Sequence, residues 1–370
     1  EVRSITNQPT RSLAVHSRME VVTGKRSAAA ASLPAADSRA VKRVAVPPTD
    51  TPEAHTLPPL SGFTILADAY GEKGVRKQME DEHLICLSLR AVNPAIKPIH
   101  DCAVFGVFDG HGGRQSATFI RDNLPTELAA QVAALTVGGA EGEGEGKEEA
   151  RPMVDDAPLG DKEIKKVVKS AFSKLDGRIA TDIPSCRDGC TAVVVLLFQD
   201  KCYIANLGDS GAFLGRRKAS LSKTHAIPLT EAHKPWVIAE KDRIIKTGGT
   251  IENGRVNGAL EVTRSFGDIS LKKYGVLCTP TFQKCTISPA EDEFLLLGCD
   301  GFWTCLVAEE AMAMTHDLVQ KEMRRQTVEG DRSFDIKGIC RTLVEYVLLD
   351  KKSQDNVSIV MIRLIPTQVT

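Results

Sequence analysis

The sequence predicts an α+β protein in which antiparallel sheets are covered by helices. Three observations carry this. Apolar, strand-forming runs follow one another directly, as in GCTAVVVLLFQD, KCYIANLGDS and GAFLGRR. Helical stretches come in pairs, about 307–325 and 335–350 near the C-terminus. Strands and helices do not alternate one for one, as a parallel sheet would require.

Order is expected to begin near Ser61. Residues 1–60 are mostly Ala, Ser, Thr, Pro and Arg without periodicity, and read as a disordered tail. Lys25-Arg26 with Arg39, Lys42 and Arg43 could form a split nuclear-import signal; the plainer reading is solvated charge on a tail. FTILADAYG, HLICLSL and CAVFGVFDG are strand candidates, followed by a helix over about 114–135. Residues 138–158 are Gly-rich and acidic, which predicts a surface insertion. Next comes a helix over 161–182, with Ile164, Val167, Val168, Ala171, Phe172 and Leu175 on one face. A tight turn at Gln199-Asp200-Lys201 joins two strands. A helix over about 236–247 is stopped by Gly248-Gly249. EFLLLGCDG and NVSIVMIRL are the last strands.

The chain has 370 residues and a net charge of -1, which argues against nucleic acid as a partner. No apolar run approaches the roughly 18 residues that span a bilayer. No secretory signal is visible. A cytoplasmic monomer is expected, with nuclear entry if the basic tail groups act as a signal. Ten cysteines with no CxxC pair read as buried, reduced thiols.

Four acidic dipeptides mark strand ends: Asp109-Gly110, Asp209-Ser210, Asp300-Gly301 and Asp355-Asn356. A carboxylate at the end of a buried strand is costly to keep charged without a positive partner. No lysine or arginine adjoins these four in the chain, so a shared cation is implied. All-oxygen ligands favour Mg²⁺ or Mn²⁺. Arg76, Glu80 and Asp81 lie in RKQMED, which alone would be an ordinary charged turn. In DGHGG the glycines allow close backbone approach, and the Gly110 carbonyl can join Asp109 as a ligand. His111 could act as a general acid, or equally be a helix-start histidine bonded to backbone. Two divalent ions would activate a bridging water and screen a phosphate, and Arg76 would clamp its oxygens. No CxxxxxR arrangement supports a thiol route.

In chain order, these motifs are RKQMED at 76–81, FGVFDGHGG at 105–113, GCTAVVV at 189–195 and ANLGDSGA at 205–212. LTEAHKP at 229–235, RVNGALEVTRSFGD at 255–268, LGCDGFW at 297–303 and DNVSIV at 355–360 follow. Together they resemble the metal-dependent Ser/Thr protein phosphatases of type 2C, over about 61–365. GALEVTRSFGD is similar to the integrin-linked-kinase-associated branch.

The resemblance implies a four-layer αββα sandwich: two central antiparallel sheets flanked by helix pairs, with a flap at about 215–254 beside the cleft. It implies phosphoprotein substrates and a binuclear Mn²⁺ or Mg²⁺ centre. Asp109 would bridge both ions, Asp300 and Asp355 would hold one, and Glu80 with the Gly110 carbonyl the other. Asp81 would hydrogen-bond metal-bound water, Arg76 would bind phosphate, and His111 would protonate the leaving oxygen. Thr191 and Asp268 would support the centre.

Three departures stand out. Gly211 takes the usual Arg place after GDS, and Cys190 that of a Ser. Thr304 replaces an Asp of the third-metal site, which leaves Asp209 and Asp300 to hold a weak third ion. Two other readings compete: a phosphatase-like scaffold without activity, and a hydrolase of small phosphate esters.

Overall fold

Ala192–Phe198 is buried at every position and pairs on both sides, so it lies at the heart of a sheet. The structure is a computed structural model that describes residues 62–137, 158–217, 223–329 and 333–367. The tail 1–60 and residues 138–157 of the acidic insertion lie outside them.

Ten strands build the frame. They are β1 (Phe63–Glu72), β2 (Glu82–Cys86), β3 (Ala103–Phe108), β4 (Ala192–Phe198) and β5 (Lys201–Leu207). The others are β6 (Gly211–Arg216), β7 (His225–Pro228), β8 (Thr281–Thr286), β9 (Asp292–Gly298) and β10 (Val357–Pro366). One sheet runs β1-β10-β9-β6-β7 and the other β8-β5-β4-β3-β2. Every pairing within both is antiparallel. Register is set by rows such as Phe105, Val195 and Ile204. Phe198 pairs with Lys201, so the turn is only Gln199-Asp200, with Gln199 at φ 55°.

Alternation along β4 divides the interior. Val193, Val195 and Leu197 join the core shared with the first sheet. Ala192, Val194, Leu196 and Phe198 join the core beneath two helices, α1 (Gln115–Val137) and α2 (Asp161–Asp182). Helices α4 (Ala308–Glu329) and α5 (Ile336–Leu349) cover the first sheet, through Met312, Ile339, Leu343 and Val347. The layers are therefore helix pair, sheet, sheet, helix pair, as expected.

Between α2 and α4 in the chain comes α3 (Ile238–Lys246). It ends where the Gly248 and Gly249 N–H groups donate back to Ile245 and Ile244 carbonyls, with Gly248 at φ +83°. α3 shares a small core of Ile244, Val256, Leu260, Val262 and Val276 with the ribbon after it. The segment expected as a flap from about 215 begins inside the sheet, because Leu214 pairs with Ile227.

Candidate metal centre

Both sheets deliver carboxylates to one place. Asp109 follows β3, Asp209 follows β5, Asp300 follows β9, and Asp355 precedes β10. Asp81 precedes β2 and is buried. Burial pushes the Asp109 carboxyl well above the usual range, and the charges of Asp81, Asp300 and Asp209 push it further. Burial raises Asp81 to about 7, reinforced by Asp300 and Asp355 and only partly offset by the Ser358 hydroxyl and Cys299 thiol. Asp300 rises to about 6, through burial and then Asp209. Such mutual repulsion identifies a site short of positive charge.

Local backbone fixes this gathering. The Thr191 N–H donates to the Asp109 carbonyl at 2.9 Å, and the Thr191 hydroxyl bonds Ser210 at 2.6 Å. A Cβ at Gly110 would run into the Glu80 carbonyl, so only glycine fits there. Asn356 accepts from the Glu80 N–H at 2.8 Å and donates to the carbonyls of Lys73 and Gln78 at 3.0 Å each. It thereby straps the Arg76–Asp81 segment to the start of β10.

Sequence order hid two cations that the fold supplies. The Arg76 guanidinium donates to Asp355 at 2.6 Å and to the Gln354 carbonyl at 3.1 Å. The Lys234 ammonium pairs with Asp209. Both contacts are long-range, so adjacency in the chain could not show them. Lys234 lies in LTEAHKP, a motif whose sequence alone assigns it no role.

His111 sits in a two-residue strand, Gly110–His111, paired with Gly189–Cys190, and not at a helix start. Its Nε2 bonds the Asp268 carboxylate at 2.7 Å instead of backbone. Burial works against its charge, but Asp268 outweighs this and raises the imidazolium above its ordinary range. Asp268 adopts φ 46°, in the left-handed region. Asp188, which sequence reasoning missed, accepts from the Gln115 and Ser116 N–H groups and so caps α1 behind the DGHGG loop.

The departures find places. A Cβ on Gly211 would press the Trp303 indole, whose N–H donates to the Gly211 carbonyl at 3.1 Å. Cys190 is fully buried. Thr304 is exposed at the end of the Asp300–Trp303 helix.

The residues suit hard divalent ions. Asp81, Asp109 and Cys299 place one ligand atom each within 4.8 Å of one another. Asp81 Oδ2 is buried with no hydrogen-bond partner among the described residues. Cys299 was not anticipated among the oxygens; burial holds its thiol protonated, and it accepts from the Ser358 N–H at 3.2 Å. It lines the site while carboxylates supply the ligand charge.

Residues 68–357 match the family model of Protein phosphatase 2C. The chain belongs to that family. This phosphatase 2C is 34% identical over 295 residues to the integrin-linked kinase-associated serine/threonine phosphatase 2C of Rattus norvegicus, covering 79% of this chain and 70% of that one. It is 30% identical to probable protein phosphatase 2C 8 of Arabidopsis thaliana, covering 81% and 79%. Its fold is shared with a serine-threonine phosphatase 2C from Toxoplasma gondii, at a TM-score of 0.62 and 20% identity, over 82% of this chain and 95% of that one. Membership makes the phosphatase 2C chain a protein serine/threonine phosphatase.

Proposed function

We propose that this chain hydrolyses phosphoserine and phosphothreonine esters in proteins at a binuclear Mn²⁺ or Mg²⁺ centre. The observation that carries this is Asp109: a half-buried carboxylate repelled by Asp81, Asp300 and Asp209, with a buried Asp81 carboxylate within 4.8 Å of it. Asp109, Asp300 and Asp355 would hold one ion, and Asp109, Glu80 and the Gly110 carbonyl the other. When bound, such ions supply Lewis acidity and a water activated near neutral pH.

The chain's own groups do the rest. Arg76 has five N–H donors, and its contacts with Asp355 and Gln354 leave others to grip a phosphate. Asp81 accepts a hydrogen bond from water in the site. His111, with Nε2 turned to Asp268, presents Nδ1 to protonate the departing seryl or threonyl oxygen. A third ion at Asp209 and Asp300 would compete with the Lys234 ammonium, and Thr304 adds no charge to help it.

A scaffold without activity would have no use for a protonatable His111 held by a carboxylate beside the acidic cluster. Phosphopeptide hydrolysis tests the reading, run with Mn²⁺, with Mg²⁺ and with chelator. Turnover should require the metal and exceed that of mononucleotides. Turnover that survives chelation, or none under any condition, would overturn it.

A further inference from the structure

We propose that Trp236, Val237 and Ile238 form an apolar platform that receives an apolar side chain of the substrate polypeptide, close to its phosphoserine. The proposal rests on the phosphatase reading above and adds a substrate class to it.

These three consecutive large apolar residues are 67%, 39% and 77% exposed. Other exposed apolar side chains, such as Val75 and Val307, stand singly, which is ordinary for a protein surface. A run of exposed apolar residues is costly unless it is covered in use. Val237 is also the N-cap of α3, the residue just before Ile238, and it supplies no capping side chain. Ser, Thr, Asp or Asn would stabilise the helix there. The chain thus forgoes a cap to keep an apolar side chain outside.

The platform is rigid from behind. Glu240, one turn on, is buried and accepts from Arg264, Arg243 and Thr263. Ile244 is fully buried. Exposure here is therefore not the looseness of a fraying segment.

The platform also adjoins the centre. The Lys234 ammonium pairs with Asp209 and lies 5.7 Å from the Trp236 ring centroid. One charged group thus touches both the acidic cluster and the ring. An extended peptide advances about 3.3–3.6 Å per residue, so a side chain within about three residues of the phosphoserine reaches the ring. The occupant is accordingly the substrate chain itself, continuous with its own phosphate.

The test uses phosphoserine peptides in which a single Leu, or Ser in its place, is walked from three residues before the phosphoserine to three after. Hydrolysis is measured as kcat/KM with the metal-loaded protein. Binding is measured by calorimetry with the matching phosphonate peptides, which cannot be hydrolysed. At one position Leu should improve both by about tenfold over Ser, the effect of burying one such side chain. Trp236→Ala should bring that ratio close to one, and Trp236→Phe should keep most of it. The proposal falls if no position shows a preference or if the preference survives Trp236→Ala. It also falls if Trp236→Ala only dissolves a self-associated dimer in sedimentation without altering the ratio. Trp236-dependent binding without any hydrolysis would leave the platform standing and remove the phosphatase reading instead.

Discussion

The His111 imidazole bonds Asp268 Oδ2 at 2.7 Å, and the same oxygen accepts from the Ser265 hydroxyl at 2.5 Å. The ring is held by a carboxylate that is itself held. This arrangement keeps a proton available on His111 and fixes where the other nitrogen points. His111→Gln should slow phosphoserine peptides by about a hundredfold or more, the usual scale of acid catalysis. It should slow p-nitrophenyl phosphate far less, because nitrophenolate leaves without a proton. Asp268→Asn should show the same split with a smaller loss, and should move the alkaline limb of the pH profile, where His111 loses its proton, to lower pH. Equal losses on both substrates would count against His111 as the acid.

The charges of Asp81, Asp300 and Asp209 all oppose that of Asp109. Asp109→Asn removes a charge that bound metal needs and that the metal-free fold resists. Turnover should fall at least about a thousandfold, equal to roughly 4 kcal/mol of lost transition-state stabilisation. Melting of the metal-free variant should occur at or above the wild-type temperature, since burial of one repelled charge is relieved. A variant within tenfold of wild-type activity would sink the bridging role.

The same carboxylates set a pH dependence. Asp81 and Asp300 hold their protons to about 7 and about 6 when folded, above their unfolded values near 4. Between these limits the folded chain binds more protons than the unfolded one, so stability falls as pH rises. Metal-free protein should therefore melt progressively lower from pH 5 to pH 7.5. Added Mn²⁺ should reverse the fall at pH 7.5 and act weakly at pH 5, where protons compete for the same oxygens. The slope should be shallower in Asp109→Asn. A metal-free melting temperature that climbs through this window would contradict the shared site.

Much of the centre is legible because its residues sit at strand ends. A buried run such as CAVFGVF can be recognised without tertiary information, and the aspartate that closes it is then conspicuous. The helices over 161–182 and 335–350, one from each pair, are legible for a similar reason, since one apolar stripe decides each. What the chain order conceals is contact between segments far apart in the chain. Arg76 lies 279 positions from Asp355, and Lys234 lies 25 from Asp209. Pairing of β1 with β10, which sets Glu72 opposite Val357, brings the first two together, and the shared end of the two sheets brings the second two. The flap start is obscure for another reason: His225–Pro228 is short and half exposed, so its sheet pairing comes from the β6 edge and not from its own composition.

Glu240 ties α3 to the segment that follows it. Burial alone would raise its carboxyl, yet hydrogen bonds from Arg264, Arg243 and Thr263 hold it far below the usual range. Arg264 donates through Nε and Nη2, and also reaches the Thr279 carbonyl at 2.9 Å. Arg243 reaches the Gly275 and Thr263 carbonyls at 2.9 Å each. The carboxylate is the common acceptor of a network that spans residues 240–279. Glu240→Ala leaves two guanidinium groups facing each other without it, a loss of about 3–5 kcal/mol for a buried pair broken from one side. The loss should be local, because α3 shares a small core of its own. Hydrogen exchange should quicken through 236–262 while β4 and β10 keep their protection. Arg264→Ala added to Glu240→Ala should cost less than the sum of the two, since both remove the same contact. Stability carried by an ionised Glu240 is complete above the ordinary glutamate range and is lost progressively as pH falls below it, because the folded carboxyl holds its charge to lower pH than the unfolded one. Wild-type exchange in this segment should therefore stay slow down to about pH 4 once corrected for the intrinsic rate. Uniform loosening of the whole sandwich in Glu240→Ala would show that the network supports the core, and not the flap alone.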